Sequence, residues 1–129
     1  MLIKQCAEFV EQDQITHVPS KTRGIYALLK KQRSRGGKRR FDVVYIGMST
    51  TSVLKRLRAH EASREKAGLW SHFSVYSVGK ETTNDEIRYL EGLLRHIFRK
   101  DCQANKLAMK KGFMPLWKVR EHDFTKWSA

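Results

Sequence analysis

Acidic residues are scarce in this 129-residue chain, which contains 13 Asp and Glu against 26 Lys and Arg and carries a formal net charge of +13. A domain this basic repels itself unless an anion lies nearby, and the usual anionic partners are nucleic acids and membrane surfaces. The charge excess therefore favours a nucleic acid as the partner over a solvated basic surface that binds nothing.

Long apolar runs are also missing. No segment approaches the roughly 18 residues that a membrane span needs, and the first ten residues lack the apolar core and cleavage site of a secretory signal. The two cysteines, Cys6 and Cys102, lie far apart, which excludes a zinc-ligand spacing and a disulfide framework. We therefore expect a cytoplasmic protein that does not contact a membrane.

Hydrophobic spacing divides the chain into helices and strands. Apolar residues at helical spacing predict a short opening helix over 2–12. Strands are predicted at 24–31, 41–47 and 70–78. Helices are predicted from the Ser and Thr N-cap candidates at 49–52 to about 66, and from 84 or 85 to about 98. The order indicates an α+β fold with a small, mostly antiparallel three-stranded sheet flanked by helices, and a short edge strand is expected in the tail.

The segment 30–40 is the most basic part of the chain. It holds seven Lys and Arg residues, no Asp or Glu, and a Gly-Gly pair, which is the composition of a hairpin tip. Arg58 and Arg64 of the following helix add positive charge, although they could equally form an ordinary solvated face. The residues predicted to contact nucleic acid are Lys30, Lys31, Arg33, Arg35, Lys38, Arg39, Arg40, Arg58 and Arg64.

Two tripeptides, Gly24-Ile25-Tyr26 and Tyr45-Ile46-Gly47, lie on the first two predicted strands. They are followed in order by Lys55-Arg56-Leu57 and His60 on one helix, Glu91 on the next helix, and Asn105 after it. This series resembles the GIY-YIG nuclease family over about residues 22–107. Within a single domain of 1–129, residues 108–129 would then form a C-terminal extension. The resemblance implies hydrolysis of DNA, with RNA also possible, by one divalent metal ion, Mg²⁺ or Mn²⁺.

Glu91 falls within an apolar stripe of the second helix formed by Ile87, Leu90, Leu94 and Ile97. A carboxylate at the buried edge of a helix is costly unless it is paired or binds a cation. One interpretation is a glutamate at the rim of the stripe, with its carboxylate in water or on an arginine. The resemblance implies instead that Glu91 is the metal ligand, because one carboxylate with waters and substrate phosphate is a usual way of holding Mg²⁺.

Tyr26 and Tyr45 have the ordinary interpretation of strand tyrosines that pack their rings and leave their hydroxyls in water. Because a phenol titrates near ~10, a catalytic role requires positive charge that lowers its pKa, which Arg56 and a metal ion would supply. The resemblance implies that Tyr26 is the general base for the attacking water and that His60, four residues after Arg56, draws off its proton. Tyr45 and Arg56 are expected to orient the phosphate and stabilise its charge.

Asn105 either forms a hydrogen bond near the site or holds the loop in place. Two other functions remain open: a non-catalytic nucleic-acid-binding module on the same fold, and a basic RNA- or ribosome-associated protein. The intact set of Tyr26, Tyr45, Arg56 and Glu91 argues against the first, and the second requires neither paired tyrosines nor a glutamate in an apolar stripe. Magnesium-dependent cleavage distinguishes them from a nuclease.

Overall fold

The computed structural model of the chain describes residues 3–32, 40–63 and 67–98, together with the backbone of 116–117. The strands are β1 (Ile3–Glu11), β2 (Gly24–Gln32), β3 (Arg40–Ser49), β4 (His72–Val78) and β5 (Leu116–Trp117). The α-helices are α1 (Val53–Ala62) and α2 (Asn84–Phe98), and short 3-10 helices span Gln12–His17 and Ala67–Leu69. The α+β class predicted from the sequence is confirmed.

The described strands form one antiparallel sheet in the order β1-β4-β2-β3-β5. The sheet has four strands of substantial length and the two-residue β5, so the expectation of three strands was too low. β2 lies at the centre, with Tyr26 opposite Val75 of β4 and opposite Gly47 of β3. The two tripeptides therefore meet on neighbouring central strands.

The predicted opening helix over 2–12 is wrong, because residues 3–11 form β1. Between Ile3 and Gln5, and again between Ala7 and Val10, the register with β4 shifts. At the second shift Phe9 has a left-handed φ of 57°, and its N–H donates to Ser74 Oγ at 3.1 Å. Phe9 and Val10 are both buried, in clusters on opposite faces of the sheet. The bulge breaks the two-residue alternation of a strand, which left an apparent helical spacing in the sequence.

The other predicted elements are confirmed, with adjusted ends. The helix expected to reach residue 66 ends at Ala62, and residues 64–66 lie outside the described part of the chain. The edge strand predicted in the tail is β5, which pairs with Arg40 and Phe41 of β3. Neither described α-helix is long and apolar enough to cross a membrane.

The two helices cover opposite faces of the sheet. On one face α1 packs Leu57 into a buried cluster that includes Trp70 and Phe73. On the other face α2 packs through residues at helical spacing, which are Ile87, Leu90, Leu94 and Phe98. Ile97, expected in this stripe, is instead 53% exposed, since Phe98 takes the last packing position.

Candidate active site

Steric contacts in the structure explain why each of the two tripeptides contains a glycine. A Cβ on Gly47 would lie 2.5 Å from Cζ and Oη of Tyr26 and 2.8 Å from Cε1 of Tyr45. Real Cβ atoms do not approach other atoms so closely, so glycine leaves the room that the two phenol rings occupy. Gly24 has a φ of 152°, and a Cβ there would overlap the carbonyl oxygen of Tyr76.

The start of α1 is fixed against the start of β2. The N-cap residue Ser52 accepts a hydrogen bond from the Lys55 N–H at 3.3 Å, and the Val53 N–H donates to the Thr22 carbonyl at 2.8 Å. Arg56 and His60 follow four residues apart and therefore share one side of the helix. His60 is only 8% exposed. Local capping thus brings the helix residues to the tyrosine strands.

Tyr26, Tyr45 and His60 form an aromatic cluster between β2, β3 and α1. The Tyr26 hydroxyl is hydrogen-bonded to His60 Nε2 at 2.8 Å. The His60 ring centroid lies 4.7 Å from that of Tyr45 and 5.7 Å from that of Tyr26. Three of the residues expected to act together are therefore in direct contact.

A cavity of about 230 Å³ opens beside this cluster and is lined by Tyr45, Arg56, Ala59, His60 and Ser63. Tyr26 is fully buried and is not among the lining residues. The lining thus includes His60 but not its hydrogen-bond partner Tyr26, and the role of Tyr26 as the base for the attacking water stays a prediction.

The pKa of Tyr26 is raised well above the usual value for a phenol. Burial is the main cause, followed by the neighbouring Tyr45, while the Arg56 guanidinium acts in the opposite direction. Arg56 acts to lower the pKa of Tyr26, as expected, but its effect is smaller than that of burial. The Tyr26 phenol is neutral at physiological pH.

Glu91 and Arg95 lie one turn apart on α2, and the Glu91 side chain is 20% exposed. Glu91 Oε1 is 3.8 Å from Arg95 Nη1, and the Arg95 Cζ lies 5.4 Å from the centroid of the Tyr45 ring. This contact agrees with the interpretation of a glutamate at the rim of the stripe with its carboxylate on an arginine. Glu91 is also close enough to add to the rise in the pKa of Tyr26. α2 therefore brings a carboxylate to the tyrosine cluster.

The donor atoms near the cluster suit a hard cation. No group of three or more His, Cys, Asp or Glu side chains among the described residues is arranged to hold a metal ion. The Glu91 carboxylate and the tyrosine hydroxyls offer oxygen donors, and Mg²⁺ is commonly held by one or two carboxylates with waters and phosphate oxygens. The residues present are therefore compatible with a magnesium site based on Glu91.

The predicted nucleic-acid contacts are only partly within the described chain. Lys31, Arg40 and Arg58 are exposed, while the Lys30 amino group donates to the Gly68 carbonyl at 3.4 Å. Arg40 lies 3.8 Å from Asp42, so an acid just beyond the basic segment neutralises part of it. The remaining predicted contacts, Arg33, Arg35, Lys38, Arg39 and Arg64, lie outside the described residues, and so does Asn105, which was predicted near the catalytic residues.

Arg95 and Ser63 were missed by the sequence reasoning. Arg95 could have been found, because it stands four residues after Glu91 on a predicted helix, the spacing at which opposite charges meet. Ser63 carries no such signal, since its place depends on where α1 ends. Comparison with known proteins gives no matching family model, curated protein or solved structure, so the function must be inferred from the site itself.

Proposed function

We propose that this chain is a divalent-metal-dependent endonuclease that hydrolyses phosphodiester bonds in DNA with a site of the GIY-YIG type. The observation that best supports this proposal is the 2.8 Å hydrogen bond between Tyr26 and His60, next to a cavity that Tyr45 and Arg56 also line. A phenol, an imidazole and a guanidinium around one small cavity supply proton transfer and phosphate binding together.

His60 is the member of the hydrogen-bonded pair that lines the cavity. We therefore propose that His60 accepts the proton of the attacking water. In the tautomer in which Nε2 donates to the Tyr26 oxygen, Nδ1 is the basic nitrogen. In that tautomer the neutral Tyr26 phenol accepts the hydrogen bond from Nε2 and orients the imidazole ring. This assignment exchanges the roles that the family resemblance gave to the two residues.

Arg56 and Tyr45 line the same cavity and present donors to a phosphate placed there. A guanidinium matches two phosphate oxygens with two parallel N–H bonds, and it keeps its charge at all relevant pH values. Arg56 is exposed on the cavity side, so a substrate reaches it without opening the core. These two residues orient the phosphate and stabilise the charge that develops on it.

Glu91 is the residue we assign to the metal. A divalent cation bound there would stabilise negative charge on the reacting phosphate. The carboxylate is part-buried, and its charge contributes to the raised pKa of Tyr26, which supports a place for it near the tyrosine cluster.

The test is cleavage of supercoiled plasmid and branched DNA with Mg²⁺ or Mn²⁺, with EDTA as the metal-free control. We expect nicking or cutting by the wild type and none by Glu91→Gln. The Gln variant should still bind DNA, because it removes a negative charge near the phosphate. Glu86→Gln, on the exposed first turn of the same helix, is the matched control and should cleave normally.

A non-catalytic nucleic-acid-binding module is the second candidate. It is favoured by the pairing of Glu91 with Arg95, because a structural ion pair needs no metal. Metal-independent DNA binding with no cleavage of plasmid, branched, single-stranded or RNA substrates would support this function and reject the nuclease.

A further inference from the structure

The carboxylate assigned to the metal already has a cation beside it. Glu91 Oε1 lies 3.8 Å from Arg95 Nη1, at a distance where the charges attract without a close hydrogen bond. The two side chains are 20% and 36% exposed, so water screens their attraction. Such a pair is weak enough to be replaced by a stronger ligand for either partner.

Arg95 also contacts the cavity side of the site. Its guanidinium carbon lies 5.4 Å from the centroid of the Tyr45 ring, and Tyr45 lines the cavity. The Arg95 guanidinium is therefore near both the Glu91 carboxylate and Tyr45, one of the residues assigned to the phosphate. The arginine side chain has several rotatable bonds, so it has the reach to leave Glu91 for a phosphate oxygen bound near Tyr45.

We propose that Arg95 competes with the divalent cation for Glu91 and becomes a second phosphate-binding arginine when the cation takes the carboxylate. This inference rests on the proposed function, because it takes Glu91 as the metal ligand. A cation and a guanidinium on one carboxylate repel each other. A DNA phosphate that accepts the displaced Arg95 removes this repulsion, so metal and DNA increase each other's affinity reciprocally.

The first experiment measures Mn²⁺ binding to the DNA-free protein by electron paramagnetic resonance of the free ion. We expect Arg95→Gln to bind Mn²⁺ about fivefold more tightly than the wild type, because a competitor with like charge is removed. Arg88→Gln is the matched control, since Arg88 lies on the same helix but pairs with Asp85 at 3.2 Å. The same change in both variants would overturn the inference, because it would reflect net charge alone.

The second experiment measures binding of a phosphorothioate duplex with and without Mn²⁺. The wild type should gain affinity from the metal, whereas Arg95→Gln should gain clearly less. An equal gain in both proteins would overturn the inference.

Glu91→Gln distinguishes this inference from the proposed function. If Glu91→Gln binds Mn²⁺ as tightly as the wild type does, the assignment of Glu91 as the metal ligand is wrong. If it loses Mn²⁺ while Arg95→Gln is unchanged, only the competition is wrong.

Discussion

Tyr26 has a fully buried ring and a hydroxyl hydrogen-bonded to His60, which lines the cavity. Tyr26→Phe removes that hydroxyl and keeps the packed ring. We expect the single-turnover cleavage rate to fall at least about 100-fold, since a positioned acid–base pair contributes on that order. The free energy of unfolding should fall by only about 1 kcal/mol, the usual loss for one hydrogen bond.

Tyr76→Phe is the matched control for this change. Tyr76 also has a raised pKa and donates a 2.8 Å hydrogen bond, but to Glu8 on β1. Thermal unfolding of Tyr76→Phe should resemble that of Tyr26→Phe, while cleavage should stay normal. A Tyr26→Phe protein that melts early yet cuts at the wild-type rate would show that Tyr26 serves packing alone.

Gly47→Ala tests the steric contact under the tyrosine rings. The added methyl would lie 2.5 Å from Cζ and Oη of Tyr26, so the fully buried ring would have to shift. We expect a loss of about 1–3 kcal/mol in denaturant unfolding, together with a large loss of cleavage as the Tyr26–His60 bond is displaced.

Gly92→Ala provides the comparison for Gly47→Ala, because a Cβ at this exposed position in α2 meets nothing within 4 Å. It should stabilise the protein by up to about 1 kcal/mol through helix propensity. Equal effects of the two alanines would contradict the close packing at Gly47.

The sequence predicted which residues meet in the site but not how deeply they lie. The motif spacing placed Tyr26, Tyr45 and His60 correctly, because each depends on a local element. The burial of Tyr26, which raises its pKa, depends on residues from several distant elements that pack in the same cluster. Nothing near Tyr26 in the sequence carries that information.

At the scale of elements, Arg23 connects the segments that precede both functional helices. Its guanidinium donates to the Thr50 carbonyl before α1 at 3.2 Å, and to the Thr82 carbonyl and Asn84 Oδ1 at the start of α2 at 2.8 and 2.9 Å. A fourth bond reaches the Gly79 carbonyl at 3.3 Å. One side chain thus fixes the spacing between the helix of His60 and the helix of Glu91.

Arg23→Gln should therefore destabilise the fold, because glutamine cannot span these acceptors. We expect a loss of about 2 kcal/mol in urea unfolding, from several charge-assisted bonds on a part-exposed group. The exposed neighbour Lys21→Gln removes the same charge and should change stability by less than about 0.5 kcal/mol. An Arg23→Gln loss no larger than that of Lys21→Gln would contradict the connecting role.

Elements with clear internal periodicity were predicted well, and β1 was not. β2, β3 and β4 are apolar and β-branched, and α2 has polar N-terminal residues before its stripe, so local sequence is sufficient. β1 takes its form from pairing with β4, about 65 residues away in the chain. Tertiary contacts of this kind override local periodicity.

For the whole molecule, the net charge of +13 predicts DNA binding that weakens with salt. Lys55 and Arg58 are exposed on α1, the helix that also carries Arg56. Replacing both with Ser should flatten the plot of log affinity against log salt on duplex DNA by about 0.9 for each lost phosphate contact.

The control for this prediction is the double variant Lys4→Ser and Lys80→Ser. Both lysines are exposed and line a surface pocket formed by β1 and the segment after β4. This variant also loses two positive charges, but away from α1. Its slope of log affinity against log salt should therefore equal that of the wild type. Identical slopes for the two double variants would show that net charge, and not a face of the protein, governs binding.

The bulged strand β1 has a consequence for the behaviour of the protein in concentrated solution. An edge strand exposes unpaired backbone groups, and a regular edge can add a strand from another molecule and grow into aggregates. β1 is an edge of the described sheet, but its two register shifts and the left-handed Phe9 interrupt it every few residues. A second chain would find no continuous ladder to extend, so the irregularity that obscured β1 in the sequence also protects the protein against fibril-like growth.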